Sequence, residues 1–472
     1  MLTSSAAIHN ENGIHAGLAN QLSAMRSVFQ SGKNRSYEDR KQRLQRLRDL
    51  VLKYENELQQ ALYADLHKSP EEAWVTETGF VIAEINHILK HLKSWMRPKR
   101  VGTNLLNLPS VSHIHKEPLG VVLIVAPWNY PFQLLISPLA GALAAGNSVV
   151  LKPSEHAPAT AAVMREMISE AFDESEVLYV GGEGAEVIPG MMKSFRFDHV
   201  FFTGGTAVGK IIYELAASKL VPVTLELGGK SPVVVEADAN ITVAAKRIAV
   251  TKFSNAGQMC IAPDYLLVHS SVKDKLVDAL KSAILSFYTE DASNSYNYGR
   301  IINDRQFQRL QSYLSQGNIL FGGQTNRDEK YIAPTLIEGV DHDSPIMKDE
   351  IFGPILPVIS YDNMDEALST IQANPDPLAF YVFTQSKEKE QAWISAVPSG
   401  GACVNNASWH ATNPHLPFGG RGNSGIGAYH GNKSFDCFSH SKAVMKTPAW
   451  FDPAIKYPPF KGKLNLFKKI IR

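Results

Sequence analysis

The chain of 472 residues has only three cysteines, Cys260, Cys403 and Cys437. So sparse and odd a set builds no disulfide framework and suits a reducing compartment. An excess of charge is also missing: 47 Lys and Arg stand against 46 Asp and Glu, a net of +1. That balance offers no electrostatic footprint for nucleic acid or an acidic partner. No internal repeat or low-complexity stretch is present, and the first thirty residues lack a charged region followed by an apolar core. No secretory leader is therefore expected. Residues 118–151 contain no charge, yet Pro127, Asn129, Pro131, Pro138 and Gly146 divide them. The pieces are too short for a bilayer, which needs about 20 apolar residues. They read as buried strand, loop and buried helix in a soluble protein with no integral membrane segment.

What remains is an ordinary globular composition, 44% hydrophobic and 20% charged, long enough for two or three domains. Leu44, Leu47, Leu50, Val51, Tyr54, Leu58 and Leu62 recur at helical spacing, and a second helix is predicted over 71–95. Residues 101–117 carry no helix signal and read as an extended arm. From Gly120 strands alternate with helices: strands near 120–125, 148–151, 177–180, 199–202 and 221–225, helices over 134–145, 155–172 and 207–218. A second alternation starts at Val233, with strands near 266–268, 355–359, 379–384 and 402–405 and helices over 241–253, 272–287 and 364–373. This pattern predicts two parallel α/β domains. Glu226-Leu227-Gly228-Gly229 is the expected hinge.

Cys260 follows a Gly-Gln turn and precedes a proline, just after the helix pattern ends. A loop held by flanking elements is the usual seat of a nucleophile, although a lone cysteine is equally read as a small buried hydrophobe. Phe202 to Lys210 joins a strand to a helix through Gly204 and Gly205, a place where backbone N–H groups can meet a phosphate. Ile211 stands where a P-loop needs Ser or Thr, and the spacing misses the common dinucleotide fingerprint. Asn129, between prolines and aromatics, could donate to an oxyanion; taken alone it is better read as a loop residue bonded to its own backbone. Glu226 sits between leucines, where desolvation would suit a general base. A structural ion pair with Lys230 or another cation explains it as well.

Together the motifs resemble a known family. Asn129 in APWNYPF, Lys152-Pro153-Ser154-Glu155, FTGGTAVGK, Glu226 in LELGGKSP, Cys260 in NAGQMCIAPD, Glu350-Ile351-Phe352-Gly353-Pro354 and Pro417-Phe418-Gly419-Gly420 follow the order and spacing of the aldehyde dehydrogenase superfamily. The short chain and Tyr457-Pro458-Pro459-Phe460 resemble its class 3 branch, which acts on medium-chain, fatty and aromatic aldehydes. Asn374 to Leu378 is looser than the family's segment and is expected to be a surface-loop variation.

The resemblance implies a Rossmann-like cofactor domain (1–96 and 120–226), a second parallel α/β catalytic domain (227–435), a small β oligomerisation arm (97–119 and 436–447) and a tail (448–472). It implies Cys260 as nucleophile, Asn129 with the Cys260 N–H as oxyanion donors, and Glu226 as the base that activates water. For the cofactor it implies contacts from Trp128, Lys152, Glu155, Gly204, Gly205, Gly209, Glu350 and Phe352, and no metal. Glu155 favours NAD through the free ribose hydroxyl, with NADP also used in this branch. A homodimer in the cytoplasm is expected. The tail, with five basic residues from Lys461 onward, is expected to be solvated or packed in the dimer rather than laid on a membrane. Three rival readings stand beside this resemblance: a CoA-acylating relative, which Glu226 argues against; a thiol hydrolase pairing Cys260 with a histidine, which leaves the glycine-rich motifs unexplained; and a silent structural member, which the presence of Cys260, Glu226 and Asn129 argues against.

Overall fold

The apolar run Val121–Val125, every residue buried, lies inside a six-stranded sheet. In the computed structural model, which describes residues 16–471, that sheet runs Gly425–Ile426, Val223–Leu227, His199–Gly204, Val121–Val125, Ser148–Lys152, Val177–Tyr179. Its last five strands are parallel. Strands covered on both faces have no polar side to show, which explains the unbroken hydrophobic runs. The sequence readings that fall on residues 1–15 and on Arg472 lie outside the described residues.

The helix Gln133–Ala145 is buried along its whole length. Its C-terminal end is closed by Gly146 in the left-handed region and by two guanidinium groups from the helix Tyr37–Lys53. Arg40 donates to the Ala144 carbonyl (3.2 Å) and Arg43 to that of Asn147 (3.1 Å). Cations placed there satisfy open carbonyls and oppose the helix dipole.

Between Leu227 and Pro232 the chain passes into a second sheet of seven strands, ordered Asn318–Phe321, Thr335–Glu338, Ile355–Tyr361, Tyr265–His269, Pro232–Val235, Ala379–Phe383, Gly401–Val404. All its neighbours are parallel except the first pair. A third sheet joins Lys99–Val101, Val111–Pro118 and Ser439–Lys446, so segments far apart in sequence meet in one small arm. The fold is α/β with two parallel sheets and a small β arm. Among the described residues no helix is long and apolar enough to cross a membrane.

Several boundaries differ from the sequence reading. The helix expected from residue 155 begins at Pro158, because a proline drives the residue before it out of helical geometry. The helix expected over 71–95 is three pieces: Pro70–Ala73, a π-helical turn Trp74–Thr78, and Gly79–Trp95. The leucine repeat spans two helices, Tyr37–Lys53 and Glu55–Leu66, that meet at Tyr54. Segment 374–378 is only partly at the surface: Pro377 and Leu378 are buried, and Leu378 lines the central cleft. The strands Asn318–Phe321 and Thr335–Glu338 leave no clear mark in the sequence, because four residues give period 2 too little length.

Candidate active site

After the helix Ile241–Phe253 the chain turns through Asn255 and Ala256, both left-handed at φ 50°, before reaching Cys260. Non-glycine residues hold that conformation only when their surroundings enforce it. Gln258, fully buried, is one enforcer. Its Nε2 donates to the carbonyls of Asn255 and Arg300 (both 2.9 Å), and its Oε1 accepts from the Ile302 N–H (3.0 Å). The side-chain amide of Asn255 donates to the carbonyls of Asn129 (2.9 Å) and Gln258 (3.1 Å).

Asn129 is buried, and its Nδ2 donates to the Gln258 carbonyl at 3.0 Å. This bond reaches across 129 positions of sequence, so the local-turn reading of Asn129 does not hold. An amide nitrogen carries two hydrogens; one is thus committed to the Cys260 loop. Asn129 is not itself part of the cleft wall.

Glu226 lies near the end of the strand Val223–Leu227 and is 3% exposed. Neither of its carboxylate oxygens has a hydrogen-bond partner. Lys230, the alternative partner, pairs with Asp264 instead and donates to the Ile346 carbonyl at 2.8 Å. Burial alone holds the Glu226 carboxyl well above the usual carboxylate range.

Glu226 and Cys260 line one cleft of about 330 Å³. The rest of its wall is mainly apolar, including Val75, Phe80, Leu134, Val250, Trp409 and Phe418. Cys260 is half-buried at its wall. Desolvation raises the thiol above its ordinary range, and the nearby Glu350 and Glu226 carboxylates push the same way. The thiols that touch histidines are the other two, Cys403 with His410 (3.3 Å) and Cys437 with His199 (3.7 Å). Among the described residues no imidazole is hydrogen-bonded to Cys260 as in a hydrolase dyad. Tyr429 and His430, which also line the cleft, were missed in the sequence, since nothing local marks them.

A neighbouring set of groups suits a dinucleotide. The helix Thr206–Ala217 starts at Gly205 with no side-chain cap, and a Cβ on Gly205 would meet only open space. Its free N–H groups and dipole favour a pyrophosphate. Gly209 lies one turn in, buried against Leu227, where a Cβ would approach within 2.6 Å; it lets the helix close on the sheet. Lys152 is buried and donates to the Pro153 carbonyl (2.6 Å) and to Glu155 Oε2 (3.1 Å). Glu155 also accepts from the Gly184 N–H (3.1 Å). Burial opposes its ionisation, but these N–H groups and the Lys152 ammonium outweigh it and lower its pKa.

Glu350 approaches Gly228 so closely that a Cβ there would overlap its carboxylate at 1.9 Å. Burial, then Asp264, raise it to about 8. The Phe352 ring stands edge-on to Trp128, with centroids 5.3 Å apart. Among the described residues no group of three or more His, Cys, Asp and Glu side chains could hold a metal ion.

Comparison with known proteins agrees with this geometry. The model of the aldehyde dehydrogenase family matches residues 8–444. The chain is 45% identical to the 4,4'-diaponeurosporen-aldehyde dehydrogenase of Staphylococcus aureus over 95% of its own length and 97% of that protein. It is 41% identical to the dimeric NADP-preferring aldehyde dehydrogenase of Rattus norvegicus, covering 95% of this chain and 99% of that one. The substrate-bound state of Staphylococcus aureus AldH superposes with a TM-score of 0.93 at 43% identity, over 96% of this chain and 99% of that one.

Proposed function

The chain belongs to the aldehyde dehydrogenase family and is an NAD(P)-dependent oxidoreductase acting on aldehydes; from that premise we propose that Cys260, Asn129 and Glu226 carry its chemistry. The Cys260 thiol loses its proton to water, and the thiolate sulfur attacks the aldehyde carbon. The free hydrogen of the Asn129 amide and the Cys260 N–H hold the oxygen as it gains charge. Bound NAD(P) supplies an acceptor for the hydride that leaves this carbon. The product on Cys260 is a thioester. Glu226 then takes a proton from water, whose oxygen attacks the thioester carbon and releases the carboxylic acid and the thiol.

One observation carries this reading: a buried carboxyl with neither oxygen bonded shares a cleft with the thiol. A desolvated carboxylate with no hydrogen-bond partner is a stronger base than one in water. Glu226 also favours hydrolysis over transfer to CoA. The test is Glu226→Gln with a panel of aliphatic and aromatic aldehydes and both cofactors. Nicotinamide reduction should occur once, with labelled acyl-enzyme trapped; normal turnover without an adduct would assign the base elsewhere.

The cofactor would rest on Gly204, Gly205 and the helix start, with Lys152 and Glu155 at the adenosine ribose, Glu350 at the nicotinamide ribose, and Phe352 and Trp128 beside it. Glu155 supports NAD over NADP. The apolar wall supports medium- or long-chain and aromatic aldehydes as substrates. The division proposed is 1–96 and 120–226 for the cofactor, 227–435 for catalysis, 97–119 and 436–447 for the arm and 448–472 for the tail; the three separate sheets support it, although Gly425–Ile426 pairs into the first sheet. Exposed Leu105, Leu108 and Met445 on that arm, with a free edge on the strand Ser439–Lys446, support a homodimer. The compartment proposed is the cytoplasm, with the basic tail solvated or packed on the partner.

A further inference from the structure

Two carboxylates on one short segment hold both loops of the site. Glu77 belongs to the π-helical turn Trp74–Thr78, and Glu72 precedes it on the helix Pro70–Ala73. In an α-helix, residues five apart point about 140° away from each other. A π turn takes an extra residue per turn, so it swings i and i+5 toward a common face.

The two groups grip different loops. Glu72 Oε1 accepts from the Asn255 N–H at 2.8 Å, at the left-handed bend that leads to Cys260. Glu77 Oε2 accepts from the Gln133 N–H at 2.8 Å, just past Asn129. Its other oxygen takes Lys68 Nζ at 2.6 Å, and both side chains of that pair are fully buried. Lys68 Nζ also donates to the Asn129 carbonyl at 3.0 Å and lies 3.8 Å from the centroid of the Tyr130 ring. A buried ion pair is poor value as a source of stability. Here it spends its hydrogen bonds on the backbone beside a side chain that the reaction uses.

We propose that Lys68 and Glu77, with Glu72, are positioning residues that fix the Asn129 amide against the Cys260 loop and so set the rate of thioester formation. This rests on the assignment of Asn129 and Cys260 given above. Neither Lys68 nor Glu77 lines the cleft or bonds to Glu226, so the pair's effect on the acyl steps runs through the oxyanion donors, Asn129 and the Cys260 N–H.

The test is the double variant Lys68→Met/Glu77→Gln, which removes both charges yet keeps an acceptor for the Gln133 N–H. Single-turnover nicotinamide reduction should slow by about tenfold to a hundredfold, the cost of a misplaced reacting group. Release of the acyl group should slow with it, because water addition to the thioester charges the same oxygen. Asn129→Ala should slow the same step, and adding the double variant to it should cost nothing more. Full-rate reduction in a folded double variant, or a further loss when it is added to Asn129→Ala, would overturn the proposal. If Asn129→Ala leaves reduction unchanged, the fault lies in the role of Asn129 instead. Should the double variant not fold, Glu77→Asp retains the charge but withdraws the carboxylate. It should slow reduction, and an unchanged rate would equally overturn the proposal.

Discussion

Glu226 and Gly425 are partners across an antiparallel strand pair, so a two-residue strand from late in the chain closes the edge of the first sheet beside the unpaired carboxyl. Gly425 has φ 147°, and a Cβ there would lie 2.2 Å from the Leu225 carbonyl oxygen. Gly425→Ala should therefore destabilise the fold by about 1–3 kcal/mol. Urea denaturation measures it; an unchanged midpoint would mean that the strand can move away at no cost.

Stability should also fall with pH on account of Glu350. Its carboxyl is raised from 4.5 to about 8, first by burial and then by Asp264. A group raised on folding contributes fully below its unfolded pKa and loses that contribution as pH rises through the folded value. Between about pH 4.5 and 8, measured without cofactor, the melting temperature of Glu350→Gln should decline less than that of the parent. Parallel curves would show that Glu350 ionises as freely in the folded protein as in the unfolded chain.

Alkylation of Cys260 by iodoacetamide should be slow at neutral pH and keep rising through the alkaline range. Burial, Glu350 and Glu226 all disfavour the thiolate, which is the reactive form. A rate that levels off near pH 8, followed by peptide mapping of Cys260, would contradict this.

Chain-length preference should depend on the mouth of the cleft. Val75 lines it and is 68% exposed. Val75→Glu should lower kcat/KM for decanal by about tenfold, the equivalent of roughly two methylenes of lost burial, and leave acetaldehyde unaffected. Equal losses for both aldehydes would place Val75 outside the path of the chain.

The arm should hold two copies together. Leu105 is 82% exposed and Leu108 47%. Leu105→Asp/Leu108→Asp should shift sedimentation from a dimer toward the 51.9 kDa single chain. A wild-type profile would move the interface elsewhere.

Much of this protein is legible in local pattern. Continuous apolar runs such as Val121–Val125 announce doubly covered strands, and the glycine turn before Thr206 announces an open helix end. Cys260 on a loop and Glu226 at a strand end needed only their neighbours to be noticed. Those features depend on residues a few positions apart, and short-range chemistry leaves a trace in the order of residues. Tertiary structure alone decided the rest. It turned Asn129 toward Gln258 rather than its own backbone, gave Lys230 to Asp264 so that Glu226 stood unpaired, and set Lys68 and Glu77 beneath the Asn129 loop. Each of those outcomes joins groups from separate elements, and hydrogen bonds made across folded space have no period that a linear chain can display.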